Sequence, residues 1–307
     1  MLSVGVDVHE SVLDSAPGDR RALLRRVAES DLDHVCVADH VSFHGGQGFD
    51  GMVAAAAALA TEDRLGVLIG VYQAALRHPL TVARQLASLA QIGPGRVVFG
   101  VGAGGDDRSE VSNCGVEPAT RGRRLNESLS VLNELSTGDV VDHDGEFFRL
   151  DRAQILPAPA PRIPIVVGGS SPAAIRRTAA FGDGWLAIFC SARRFAATVT
   201  AIGTESDRIG RDAPDWYGLN VWCGLDQDHD TARAVLAERM ESLYRLPFEK
   251  FARLAPAGTP EDVANFVLPY VEAGCGHVTL VPAATSWQRG LDHAAEVKDR
   301  LVKLCHG

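Results

Sequence analysis

Apolar residues along this chain come in two alternating rhythms. Short runs dominated by Val, Ile, Leu and Ala recur at residues 2–8, 34–38, 65–72, 96–101, 163–167, 184–189, 217–224 and 277–281. Several of them, such as VVFGV and IPIVV, are apolar without a break, as strands of a parallel sheet buried on both faces must be. Between them lie helical windows at 20–29, 79–91, 121–135, 172–181 and 262–273. Their apolar positions recur at the helical spacing of three to four residues. Strands alternating with helices from end to end argue for βαβ units. Eight parallel strands close a barrel, so the pattern predicts an (α/β)8 TIM barrel in one domain over residues 1–307. An open doubly wound sheet is the competing architecture, but it has two edges, and no blunted edge strand is evident to supply them.

Three stretches exceed the minimal barrel, as insertions after strands 2, 4 and 7. Residues 41–51 (VSFHGGQGFDG) form a glycine-rich loop, residues 138–162 read as a small hairpin with a Pro-Ala tail, and residues 225–260 form a charged helical excursion. Long excursions in a compact domain are usually lids or partner surfaces.

Reactive groups of such barrels sit at the carboxyl ends of the strands. Those ends carry Asp7, Val8 and His9; Asp39 and His40; Gly70, Val71, Tyr72 and Gln73; Gly102, Ala103, Gly104, Gly105 and Asp106; Gly168, Gly169, Ser170 and Ser171; and residues 190–194. A histidine there offers an acid/base near neutrality. Taken alone, the segment is as consistent with a turn-capping Asp39 and an exposed His40. Gly70 interrupts a β-branched strand, which calls for backbone crowding, an unusual peptide or tight packing against a helix. The run Gly168-Gly169-Ser170-Ser171-Pro172 opens a helix and offers both an anion nest and an ordinary N-cap. Arg176 and Arg177, one turn in, are expected to face solvent. The GVGAGG string is weak as a dinucleotide fingerprint, since no helix with an acidic residue at the Rossmann distance follows it. Its glycines instead suggest close backbone approach to a flat ring.

Composition narrows the classes. A hydrophobic content of 46% is ample for a large core, and a formal charge of −9 gives no electrostatic case for nucleic acid or an anionic membrane. The six cysteines are scattered without a CxxC pair, so reduced thiols and no metal site are expected. The amino end reads as a strand rather than a secretory signal, and the longest apolar run, 52–60, is too short to span a bilayer. A cytoplasmic protein is the expectation.

In order along the chain stand ADH, LRHP, GPGRVVFGVGAGG, the DGEFF hairpin, PIVVGGSSP and GDGW. This series resembles the luciferase-like flavin and deazaflavin oxidoreductase superfamily, and within it the F420-dependent branch. The resemblance implies coenzyme F420, with FMN as the alternative, and hydride transfer between the deazaflavin C5 and a small organic substrate. An FMN-dependent monooxygenase using reduced flavin and oxygen would share the same motifs. It also implies a non-prolyl cis peptide at Gly70-Val71 supporting the cofactor ring, His40 with Asp39 in catalysis, and Asp39, Gly70, Val71, Gly102, Ala103, Gly104, Gly168, Gly169 and Ser170 around the cofactor. His44, Tyr72 and Asp106 are lesser acid/base candidates. Sugar-phosphate dehydrogenases of that branch place a glutamate directly after the glycine loop; Gly105 stands there, followed by Asp106 and Asp107. That departure disfavours a sugar phosphate. A homodimer through the early helices, including the alanine-rich stretch 52–60, is expected.

Overall fold

The computed structural model describes residues 2–8, 16–104 and 107–306. His9, Gly105 and Asp106 lie outside the described residues. The strands are β1 (Ser3–Asp7), β2 (His34–Val37), β3 (Gly66–Tyr72), β4 (Val97–Val101), β5 (Val141–Asp144), β6 (Arg149–Ala153), β7 (Ile165–Gly168), β8 (Gly184–Ile188), β9 (Trp216–Leu225), β10 (Ala257–Gly258) and β11 (His277–Ala283). One sheet runs β10-β9-β11-β1-β2-β3-β4-β7-β8, and β8 also pairs with β9. That last pairing closes eight strands into the expected (α/β)8 barrel, with β10 a two-residue addition beside β9. The helices are α1 (Pro17–Glu29), α2 (Gly51–Thr61), α3 (Pro79–Ile92), α4 (Arg108–Asn113), α5 (Arg121–Leu135), α6 (Pro172–Phe181), α7 (Ala192–Ile209), α8 (His229–Tyr244), α9 (Pro260–Glu272) and α10 (Trp287–His306). All three insertions are present: a loop after β2, the antiparallel hairpin β5–β6 after β4, and α8 with β10 after β9. Among the described residues, no helix is long and apolar enough to cross a membrane.

The fold divides into two compact units, one of residues 1–36, 186–204 and 216–307, the other of residues 37–185 and 205–215. In the first, β1 runs parallel to β11 from Ser3 opposite His277 to Val6 opposite Leu280. His34 bridges these strands at their amino ends, with Nδ1 3.1 Å from Ser3 Oγ and Nε2 3.0 Å from Thr279 Oγ1. Burial first, and the neighbouring His277 second, lower its pKa to about 4. The excursion after β9 builds its own apolar cluster from Leu236, Met240, Phe248 and Ala255 against Trp222, Val281 and Ala283. Trp222 anchors it by donating from Nε1 to the Tyr244 hydroxyl at 3.0 Å.

In the second unit, β3 lies parallel to β4 and β4 to β7, and the β3–β4 register shifts between Ile69 and Tyr72. The cis peptide Gly70-Val71, expected from the resemblance, lies within that shift. Gly100 is a glycine because a Cβ there would run into the Ile69 carbonyl oxygen of the adjacent strand. Glu127 on α5 holds the β5–β6 turn by accepting the N–H groups of Phe147 and Phe148, at 3.0 and 2.8 Å, with His143 Nε2 at 3.2 Å. Arg177 does not face solvent as expected. It turns inward from α6, donating from Nε to Asn126 Oδ1 at 2.6 Å and from Nη2 to the Gly122 carbonyl at 3.1 Å, both on α5. The long side chain reaches a helix end whose amide and carbonyl acceptors replace water.

Candidate active site

The polar groups that could perform chemistry gather in the second unit, where the chain leaves β2, β3 and β4. Asp39 and His40 follow β2 and enter a tight hairpin. Phe43 and Gln47 exchange both backbone hydrogen bonds across its tip, at 2.7 and 2.9 Å. His44, Gly45 and Gly46 turn the tip through left-handed backbone, with φ of +38°, +99° and +96°.

Asp39 is 1% exposed and lies beneath the hairpin. Arg77 grips it in a two-pronged ion pair at 2.6 and 2.9 Å, and the N–H groups of Gly51 and Gln73 each donate at 3.0 Å. Burial pushes the carboxyl up against the opposing pull of Arg77, and Asp39 in return raises the guanidinium. With four donors on its two oxygens and no facing acceptor, Asp39 is held as a carboxylate. It positions the β2 and β3 ends and offers no free lone pair to a substrate.

His40 is different. Its side chain is 31% exposed, and its Nδ1 stands 3.2–3.3 Å from both oxygens of Glu110, a carboxylate only 2% exposed. Glu110 also accepts the N–H groups of Val41 and Ser42, at 2.6 and 3.0 Å, and the Gln73 amide at 3.0 Å. Burial alone would raise this carboxyl. The Ser42 N–H, the Gln73 amide and His40 outweigh that effect and hold it below its ordinary value. The tautomer that donates from Nδ1 to this carboxylate leaves Nε2 as its proton-accepting nitrogen. Phe43 stacks on the imidazole, with ring centroids 4.2 Å apart. This arrangement can take a proton from, or return one to, a group in front of His40.

Glu110 was not among the residues expected at the site. It enters from the first turn of α4. Gln73, at the end of β3, ties the group together: its Nε2 also reaches the Asp39 carbonyl at 3.2 Å and lies 3.2 Å from His40 Nδ1. Its Oε1 is buried without a partner among the described residues, packed against Gly104. Tyr72 is fully buried under the Arg77 guanidinium, 4.3 Å from the ring centroid, and its hydroxyl has no partner among the described residues. That removes it from the acid/base candidates.

Two of the expected cofactor residues, Gly102 and Gly168, pack against Val71. A Cβ on Gly102 would lie 2.7 Å from one Val71 methyl, and a Cβ on Gly168 3.1 Å from the other. The missing side chains at Gly102 and Gly104 thus admit Val71 and Gln73, a use of glycine different from the expected open backbone. Gly102 is buried, Ala103 is half-buried and Gly104 exposed. Gly169 adopts φ +96°, and Ser171 caps α6 through the Ala174 N–H, with Pro172 at the first helical position. The N–H groups of this turn and the half-buried Val71 suit a phosphate and an apolar ring face respectively.

A parallel barrel with a histidine–carboxylate pair beside a strand bulge and a glycine cradle is the frame of a cofactor-dependent oxidoreductase. The luciferase-like monooxygenase family profile matches residues 3–277, and the chain belongs to that family. It is 33% identical over 176 residues to an F420-dependent glucose-6-phosphate dehydrogenase of Nakamurella multipartita, covering 55% of this chain and 52% of that protein. That alignment thus spans about half the length of the relative. Over 99% of both chains it is 26% identical to the F420-dependent glucose-6-phosphate dehydrogenase of Amycolatopsis mediterranei. Among solved structures, an F420-dependent secondary alcohol dehydrogenase in complex with an F420-acetone adduct superposes with a TM-score of 0.85, at 22% identity over 98% of this chain and 99% of that one.

Proposed function

We propose that this protein is an F420-dependent oxidoreductase that exchanges a hydride with a small organic substrate, with His40 as its acid/base. The observation that carries this reading is the part-exposed His40 with both oxygens of the buried Glu110 at its Nδ1. Relatives and fold neighbours named for F420 support the cofactor, and the cradle of Val71, Gly102 and Gly168 with the capped turn at Gly169–Ser171 is the part of this chain that would hold it. When bound, F420 supplies hydride exchange at its C5. The protein supplies the proton. On oxidation of an alcohol, Nε2 of His40 accepts the hydroxyl proton as the carbon gives up its hydride; on reduction of a carbonyl, it returns a proton to the developing alkoxide. Glu110 compensates the imidazolium in either direction. Asp39, Arg77 and Gln73 keep the dyad in register and touch no substrate.

The test is a binding titration with F420 and with FMN, each oxidised and reduced, read by tryptophan fluorescence. Tight F420 and weak FMN binding is the expected result. The reverse preference would point to an oxygen-using flavin monooxygenase, and binding of neither would sink the cofactor reading.

A further inference from the structure

One nitrogen of the site is claimed by a donor and an acceptor at once. Among the described residues, Nδ1 of His40 faces three atoms at nearly one distance: the two oxygens of Glu110 at 3.3 and 3.2 Å, and Nε2 of Gln73 at 3.2 Å. The carboxylate accepts and calls for a proton on Nδ1, whereas the amide N–H donates and calls for a lone pair there. Turning the amide over does not end the conflict. Its Nε2 also donates to Glu110 Oε2 at 3.0 Å and to the Asp39 carbonyl at 3.2 Å, and a flipped side chain would set its oxygen against both of these acceptors. Gln73 is 4% exposed, and its backbone N–H is tied to Asp39 Oδ2 at 3.0 Å, so the head group is held where it stands.

Glu110 is held as firmly, but its oxygens are shared. The hairpin is fastened to the start of α4 by Asp107, which accepts the His44 N–H at 3.0 Å, and by Glu110, which accepts the Val41 and Ser42 N–H groups at 2.6 and 3.0 Å. These bonds and the Gln73 amide engage both carboxylate oxygens. The contacts to His40, at 3.2 and 3.3 Å, are longer than the about 2.7–2.9 Å of a well-made charge-assisted bond. The carboxylate therefore does not dictate the ring's proton alone.

We propose that Gln73 is a positioning residue that sets the tautomer of His40, holding the neutral ring as a mixture of Nδ1–H and Nε2–H forms. What the two forms are used for rests on the function proposed above; the mixture itself does not depend on F420. With the proton on Nδ1 and bonded to Glu110, Nε2 has the lone pair that takes a hydroxyl proton. With the proton on Nε2, Nδ1 accepts from Gln73 and the ring offers a hydrogen bond to a carbonyl oxygen. Both forms are neutral, so the resting ring serves an alcohol or a ketone without gaining or losing a proton. Transfer of a proton to an alkoxide still starts from the imidazolium, which carries both.

The nitrogen NMR signals of the His40 ring, assigned by their loss in His40→Phe, report the ratio directly. Protonated and bare ring nitrogens resonate far apart, and rapid exchange between tautomers averages them in proportion. Recorded without F420 at a pH where the ring is neutral, both wild-type signals are expected at averaged positions. Gln73→Met keeps the reach and removes the N–H. It should move the ratio about threefold to tenfold toward the Nδ1–H form, the worth of one neutral hydrogen bond. Glu110→Gln, which weakens the acceptor, should move it the other way. A wild-type ring held wholly as the Nδ1–H form, an unchanged ratio in Gln73→Met (the outcome of a packing role), or a shift in one direction in both variants would overturn the proposal. The wild-type ratio decides it even where Gln73→Met does not fold. F420 binding is read separately by fluorescence. Its failure beside a mixed ring would sink the cofactor reading alone, and intact binding beside a single tautomer would sink this inference alone.

Discussion

At the scale of single residues, the proposed chemistry falls to one group of the site and its support to others. Asp39 and His40 are adjacent in sequence yet do opposite things: one is saturated by Arg77 and two N–H donors, the other keeps a free nitrogen. His40→Ala should therefore lower turnover about 10²–10⁴-fold with cofactor affinity nearly intact. Glu110→Gln, which keeps the shape and removes the charge, should cost about 10–100-fold, as second-sphere partners commonly do. Both are read from kcat and from cofactor titration, and a Glu110→Gln enzyme at full activity would remove Glu110 from the mechanism. Asp39 and His40 were legible because they follow an apolar strand. Glu110 was not, since it meets His40 across 70 positions of sequence and nothing in the local string RSEVSN marks a glutamate that turns inward. Arg177 was misread for a related reason: its acceptors belong to another helix.

At the scale of elements, strands were easier to read than the connections that carry function. Each of the eight barrel strands falls where a continuous apolar run predicts it, because burial on both faces leaves a strong one-dimensional trace. The helix α4 was not anticipated; six residues with two buried positions make no amphipathic stripe. The glycines of β4 and its loop were visible, but what they accommodate was not. Gly100 serves the close approach of β3, where the Ile69 carbonyl fills the space a Cβ would need. A backbone atom cannot swing aside as a side chain can, so Gly100→Ala should destabilise the protein by about 1–3 kcal/mol through overpacking. Denaturant unfolding measures it, and a midpoint matching that of the wild type would show that β3 yields. The β5–β6 hairpin, by contrast, was readable from DGEFF, since its turn residues are local.

At the scale of the whole molecule, the buried His34 ties stability to acidity. Its folded pKa is about 4 against an ordinary 6.5, so between these values the unfolded chain binds a proton that the folded chain does not. Stability from this residue is complete above pH 6.5, falls as the pH drops toward 4 and then levels, a loss of about 3 kcal/mol. Replacing His34 with Gln should flatten that slope in thermal unfolding measured across the interval. An unchanged slope would assign the acid sensitivity to other groups. The closed order of the sheet follows from the number and spacing of the strands, whereas the pairing of distant carboxylates with hairpin histidines does not. That pairing constrains how this protein can be recombined with its relatives. Residues 40–44 and 107–110 form a matched cassette lodged in two separate stretches of sequence, and a chimera with a crossover between them would inherit the hairpin from one parent and its grip from the other. Libraries built by segment exchange should move the two together, leaving the strands between them to either parent.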